Sequence, residues 1–246
     1  PFMFLTYAAA HTKSIALTTG SIVTTLRHPF HTAKSAATLD SISGRRFVMG
    51  AATGDRQIEF PAFKVGRENK GELFRESIAV MKQLWQEEFP VIQTERTNLT
   101  EGDVVPKPEM GTIPVFGTGY SSQTIEWLAE NTDGWMFYPQ ELKKQKALIN
   151  KWRGLTEEFK PFTQPLMIDL SERANEAPKT LETGFRAGRN FLIDYLNAYQ
   201  EAGVNHMTVA LKGSSRPAAE VIQELGEFVV PKFPVNREQK FTFFNQ

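Results

Sequence analysis

Apolar positions fall into two kinds of segment that take turns along the chain. Short runs dense in β-branched and aromatic residues, such as 14–25 (SIALTTGSIVTT), 46–52 (RFVMGAA) and 113–119 (IPVFGTG), read as buried strands. Between them lie longer stretches with apolar residues three and four apart. In 70–89, for example, Leu73, Ile78, Met81, Leu84 and Trp85 share one helical face. The pattern predicts helices over 2–12, 31–42, 70–89, 121–132, 140–159, 189–203 and 216–233. It predicts strands beginning near Ile15, Phe47, Pro114, Gly134, Pro165 and His206. The breaker residues agree. Pro1 and Pro217 stand near first helical turns, and Gly44 follows Ser43 as a helix stop. Pro106 and Pro108 keep the irregular segment 90–111 extended.

Six strands, each followed by a helix, imply an α/β protein with a parallel sheet and helices outside it. Six such units behind an orphan first helix predict a (β/α)8 TIM barrel whose first two strands are missing from this chain. A complete barrel usually takes about 250 residues, whereas 246 residues here carry six strands and an insertion. The barrel domain is expected over 1–233. The tail 234–246 is polar, carries three Phe and has no place in the pattern. The rival is an open doubly wound sheet, but no Gly-x-Gly-x-x-Gly opens an early strand–helix turn.

Charge narrows the partners. Lys plus Arg equals Asp plus Glu, 28 each, so no global field draws the chain to nucleic acid or an anionic membrane. Cysteine is absent, which removes disulfide and thiolate chemistry and fits a reducing compartment. No apolar run approaches the roughly 20 residues that span a bilayer, and the start lacks a secretory signal. The expectation is a soluble cytoplasmic protein. The four histidines, His11, His28, His31 and His206, do not pair at metal-ligand spacing, so no metal site is expected.

In a parallel barrel, ligands sit on the loops that follow the strands. Gly20-Ser21, Ala52-Thr53-Gly54, Gly117–Ser122 and Asp169–Ser171 would then share one mouth. Gly20 inside a strand reads either as a bulge or as a site of close approach. The stretch GTGYSSQTIEW offers a helix start with two hydroxyls, Ser121 and Ser122. Its free N–H groups suit a phosphate monoester, or a serine simply caps the helix. His28, beside Pro29, either approaches the mouth or bonds within its loop. Arg186 and Arg189 bind an anion or are surface charges. Asp55 and Glu59 form an acid–base pair, or Asp55 or Arg56 orders the long loop after the strand.

Several stretches, AAAHTKSIALTTGSIVTTLRHPF, KSAATLDSISGRRFVMGAATGDRQIEFPAF, VVPKPEMGTIPVFGTGYSSQTIEWLAENTDGWMFYP and the closing AGVNHMTVALK with ELGEFVVPKF, resemble the bacterial luciferase-like flavin monooxygenases, luciferase-type oxidoreductase branch. They cover most of the chain in that family's order. One departure is Arg45, where the family commonly has a second Gly. The resemblance implies a (β/α) barrel that holds reduced FMN, supplied by a separate flavin reductase, and uses oxygen on a small organic substrate. Cofactor contacts would fall on Gly20 and Ser21, with a non-proline cis peptide under the flavin ring, and on Ala52 and Thr53. Gly119, Ser121 and Ser122 would hold the phosphate, joined by Lys70 where relatives tend to carry Arg. The catalytic base is not identified, because in some relatives it follows a strand that this chain lacks. The alternatives are a deazaflavin coenzyme with hydride transfer on the same barrel, or a non-catalytic flavin-binding protein. The resemblance also implies a homodimer on helices 2–12 and 31–42, whose Ala8, Ala9, Ala10, Ala33, Ala36 and Ala37 permit close approach; the alternative is that the alanines only let these helices lie close to the barrel.

Overall fold

The computed structural model describes residues 1–234; the rest of the expected tail lies outside the described residues. Two compact units divide the chain, Pro1–Trp135 and a second from Met136 onward.

The first unit opens with α1 (Phe2–His11), then β1 (Leu17–Thr18) and β2 (Ile22–Val23), then α2 (Pro29–Ser43) and β3 (Phe47–Ala52). After β3 come a single turn α3 (Glu59–Ala62), the long α4 (Lys70–Gln86), and a small hairpin of β4 (Ile92–Gln93) and β5 (Asn98–Leu99). β6 (Val115–Thr118), α5 (Ile125–Asn131) and the start of β7 (Gly134–Met136) complete it. Strand β3 is the axis of the unit. β1 and β2 pair with it in parallel at Leu17 opposite Phe47 and Ile22 opposite Ala51. β6 pairs in parallel on its other side, Met49 opposite Val115. A strand flanked on both edges and both faces must be apolar throughout, and FVMGA is buried without interruption.

Helix α2 shows why its sequence folds locally. Pro29 occupies the first turn, and the His28 ring caps the start by accepting the Phe30 N–H. Gly44 ends the helix in the left-handed conformation (φ 65°), its N–H donating to the Asp40 and Ser41 carbonyls. Arg45 is left-handed as well (φ 65°), and its N–H also donates to the Asp40 carbonyl (2.9 Å). A left-handed backbone costs a side-chain-bearing residue about 1–2 kcal/mol. That is the physical sense of the glycine expected at this position from the resemblance.

Ala33, Ala36 and Ala37 are 0% exposed and lie in one core with Phe47, Met49, Phe74, Met81, Leu84 and Trp85. The Trp85 indole N–H donates to the Ala33 carbonyl (3.1 Å). Small residues here let α2 lie close to its own unit's core, so these alanines are unavailable as a surface for a second copy.

The second unit, after the end of β7, contains α6 (Leu142–Arg153), β8 (Phe162–Leu170), β9 (Lys179–Thr180), β10 (Phe185–Ala187), α7 (Arg189–Glu201), β11 (His206–Ala210) and α8 (Ala218–Glu224). β8 is its axis, with β10 parallel on one edge (Ile168 opposite Phe185) and β11 parallel on the other (Pro165 opposite Thr208). Leu166, Ile168, Leu170, Leu192 and Val221 form its core. The helix expected over 216–233 is shorter. α8 stops at Glu224, and a wide turn over Leu225–Val229 and a tight one over Val230–Lys232 follow. The expected strand segments all exist. Their pairings β1 and β2 with β3, β3 with β6, and β8 with β11 are all parallel.

Candidate functional site

Threonines tie the loops at one end of the first unit together. Thr19 donates its hydroxyl to the Gly50 carbonyl (2.9 Å) and Thr25 to the Thr53 carbonyl (2.8 Å). These bonds hold the chain around Gly20-Ser21 against the end of β3. The Gly20–Ser21 peptide is cis. Nothing lies within 4 Å of where a Cβ on Gly20 would stand, so open space adjoins this backbone. Ala52, the last residue of β3, is half-buried, and Thr53 just after it is buried. Gly54, left-handed at φ 84°, lies so near Val23 that a Cβ would come within 2.8 Å of its side chain.

Lys70, the first residue of α4, donates its ammonium to the Gly54 carbonyl (3.3 Å). The turn of chain after β6 lies against this same helix start. A Cβ on Gly71 would meet Ser122 Cβ and the Ser122 carbonyl at 3.3 Å each. The Gln123 amide closes the contact, donating to the Gly71 carbonyl (2.9 Å) and the Ser121 carbonyl (3.1 Å), while Arg75 donates to its oxygen (2.9 Å). The structure therefore brings together Gly20, Ser21, Ala52, Thr53 and Lys70 through the β3 end. It joins Ser121 and Ser122 to Lys70 through the α4 start. Gly119 belongs to the same turn, its carbonyl accepting from the Trp135 indole (2.6 Å). Gly71 and Gln123 went unseen in sequence. Their only signal there is a small residue directly after Lys70 and an amide directly after Ser122.

The helix expected to begin at Ser121 does not begin there. Gly119, Ser121 and Ser122 have φ of 58°, 47° and 56°, left-handed values that cannot belong to a right-handed helix. Gln123 closes a turn on the Tyr120 carbonyl (2.8 Å). Thr124 is the true cap, its hydroxyl accepting the Trp127 N–H (3.1 Å) ahead of α5. The Ser121 hydroxyl is spent on the Thr118 carbonyl (2.7 Å), whereas Ser122 is exposed. What the turn presents is backbone. The N–H groups of Ser121 and Ser122 meet no hydrogen-bond acceptor among the described residues. Successive backbone N–H groups in a turn make a concavity suited to an anion. Beside it, the first turn of the 17-residue α4 carries N–H groups with no intrahelical acceptor.

The other candidates are otherwise engaged. Glu59 pairs with Arg56 (3.5 Å). In the second unit, Arg186 lies between two carboxylates, bonding Asp169 (2.6 Å) and Glu176 (2.9 Å), and also reaches the Ser215 hydroxyl. Burial pushes the Asp169 carboxyl up. The Ser215 N–H, Arg186 and the Ser215 hydroxyl outweigh it and hold Asp169 below the usual carboxylate range. Hydrogen bonds from Ser171, Arg173 and Arg186 pull Glu176 down to about 2. Arg189 pairs with Glu224 (2.9 Å) and covers the Phe228 ring. Neither arginine is a free anion ligand. Among the described residues no group of three or more His, Asp or Glu is placed to hold a metal ion, and no helix is long and apolar enough to cross a membrane.

Known proteins show the same architecture. A monooxygenase from Streptomyces bottropensis superposes with a TM-score of 0.81 over 95% of this chain and 83% of its own, at 18% identity. In sequence, the oxygenase component of the flavin-dependent trigonelline monooxygenase of Acinetobacter baylyi is 33% identical over 175 residues, 69% of this chain and 48% of its own length. The F420-dependent glucose-6-phosphate dehydrogenase of Kineococcus radiotolerans is 29% identical over 138 residues, 54% of this chain and 40% of its own. Against uncharacterized mycobacterial relatives, 29% identical over 188 residues, the match spans 66% of their length. The sequence model of the luciferase-like monooxygenases matches residues 1–225, and the chain belongs to that family.

Proposed function

We propose that the chain is a flavin-dependent monooxygenase that uses reduced FMN and oxygen on a small organic substrate, on a (β/α)8 barrel scaffold. The observation that carries this reading is the meeting of three kinds of positive group at one place. These are the backbone donors of Ser121 and Ser122, the first turn of α4, and Lys70. A dianionic phosphate fits such a set, which supplies charge-assisted hydrogen bonds and the positive end of a helix. The planar ring system fits the open space at Gly20 and the small side chains Ala52 and Thr53. Bound in reduced form, FMN supplies the electrons that activate oxygen. The chain's own part is to anchor the phosphate, orient the ring against Gly20-Ser21 and keep bulk water from it. The relative named as an oxygenase component supports a separate reductase as partner.

An anaerobic titration with reduced FMN, followed by admission of oxygen, tests the proposal. The expected result is saturable binding and a reoxidation time course distinct from that of free reduced FMN. Reoxidation identical to that of the free cofactor, with no saturation, would refute it. The F420-dependent relative favours one second reading, a deazaflavin coenzyme at the same phosphate site with hydride transfer. Tight binding of that coenzyme alone would select it.

A further inference from the structure

Next to the β3 end, the first unit contains a cavity of about 200 Å3 that the cofactor reading leaves unused. Thr25, Arg27, His28, Phe63, Val65 and Arg96 are among its lining residues, and no lining residue is acidic. It is smaller than the roughly 300–1,000 Å3 of ordinary small-molecule pockets, so it suits a small ligand or one end of a larger one.

Its polar groups are donors. Arg96 is fixed from behind, bonding the Thr25 carbonyl (3.3 Å), the Leu73 carbonyl (3.4 Å) and the Ser77 hydroxyl (3.0 Å). Its Nε is buried without a hydrogen bond, and the Glu76 carboxylate stands 3.4 Å away. That carboxylate is shared, since its other oxygen accepts the Thr94 hydroxyl (2.6 Å). The Arg27 guanidinium has no hydrogen-bond or ion-pair partner among the described residues. The His28 Nδ1 accepts the Phe30 N–H, which leaves Nε2 to carry the ring proton and donate. Phe63 is 60% exposed, an aromatic surface beside these cations. Thr25, through its hydroxyl on the Thr53 carbonyl, ties the cavity wall to the strand end proposed to face the flavin.

We propose that this cavity takes the carboxylate of a small organic acid, the substrate of the flavin site; the identification as substrate rests on the reading above. Arg27 and His28 donate to the carboxylate, Arg96, its charge met by Glu76, forms the fixed wall behind it, and Phe63 packs against the adjoining hydrocarbon. An uncharged amide of the same shape lacks the charge that this donor set matches.

Benzoate and benzamide, titrated separately into the cofactor-free protein by ligand-detected NMR, are the probes. Benzoate should bind at least tenfold more tightly than benzamide. Arg27→Gln should weaken benzoate about tenfold and leave benzamide unchanged, and Phe63→Ala should weaken both. Both substitutions are at exposed positions, and retained far-UV circular dichroism confirms the fold. Inorganic phosphate should not displace benzoate. Equal affinity for the two probes, an Arg27→Gln variant that binds benzoate as well as the parent, or displacement by phosphate would overturn the proposal. If benzoate follows Arg27 while FMN does not bind at all, the acid site stands and the cofactor reading falls.

Discussion

Asp40 shows how one buried side chain sets a pH dependence. Burial pushes its carboxyl up to about 6, with Arg45 pulling it back and Glu109 pushing it further. The folded chain therefore holds this proton more tightly than the unfolded chain does. The associated stability is complete below about pH 4 and is lost as the pH rises through about 6. Asp40→Asn should raise stability at pH 7.5 by about 1 kcal/mol, solvent screening keeping the gain below the full shift. At pH 4 it should change nothing. Urea unfolding at the two pH values checks this, and an equal effect at both would contradict it. At the same scale, the sequence pointed to Lys70, Ser121 and Ser122 but not to the groups they present. Residue type suggested hydroxyls at a helix start. The left-handed φ of two adjacent serines, which no propensity announces, turned the donors into backbone N–H groups. Gly71 and Gln123 were illegible because their role depends on a contact between segments about 50 residues apart.

Helix α1 buries only Ala9 fully, yet it is well anchored at its C-terminal end by another element's side chain. Arg46, just before β3, donates to the Ala9 carbonyl (3.0 Å), the Thr12 carbonyl (3.1 Å) and hydroxyl (2.9 Å), and the Ile15 carbonyl (2.9 Å). Replacing it with Met should cost about 1.5–3 kcal/mol, the range for a hydrogen bond to a charged group. The α1 amides should lose hydrogen-exchange protection before those of β3. Protection retained in α1 would mean that Phe2, Leu5 and Ala8 hold the helix by packing alone. Elements were legible where periodicity ran long, as in α4 and in β3, whose apolar run is unbroken. β8 begins at Phe162, three residues before Pro165, because a proline that reads as a strand start is tolerated here inside the strand. The pairs β4–β5 and β9–β10 stayed hidden, since strands of two or three residues carry no period. β10 is instead held by ion pairs from Arg186.

For the molecule as a whole, strand–helix alternation and the family resemblance led to an α/β fold with parallel strands, and the match over residues 1–225 places the chain among luciferase-like monooxygenases. Neither the substrate nor the choice between FMN and a deazaflavin follows from that membership, because relatives differ in both. The proposed phosphate site is narrower, the place where the Ser121–Ser122 turn meets Lys70 and the start of α4. The most direct test compares the affinities of FMN and riboflavin, which differ only in the phosphate, for the parent protein and for Lys70→Met. FMN should bind the parent at least tenfold more tightly than riboflavin. Lys70→Met should narrow that gap by weakening FMN alone. Equal affinity of the parent for both ligands, or an equal loss for both in the variant, would contradict a phosphate site at this place.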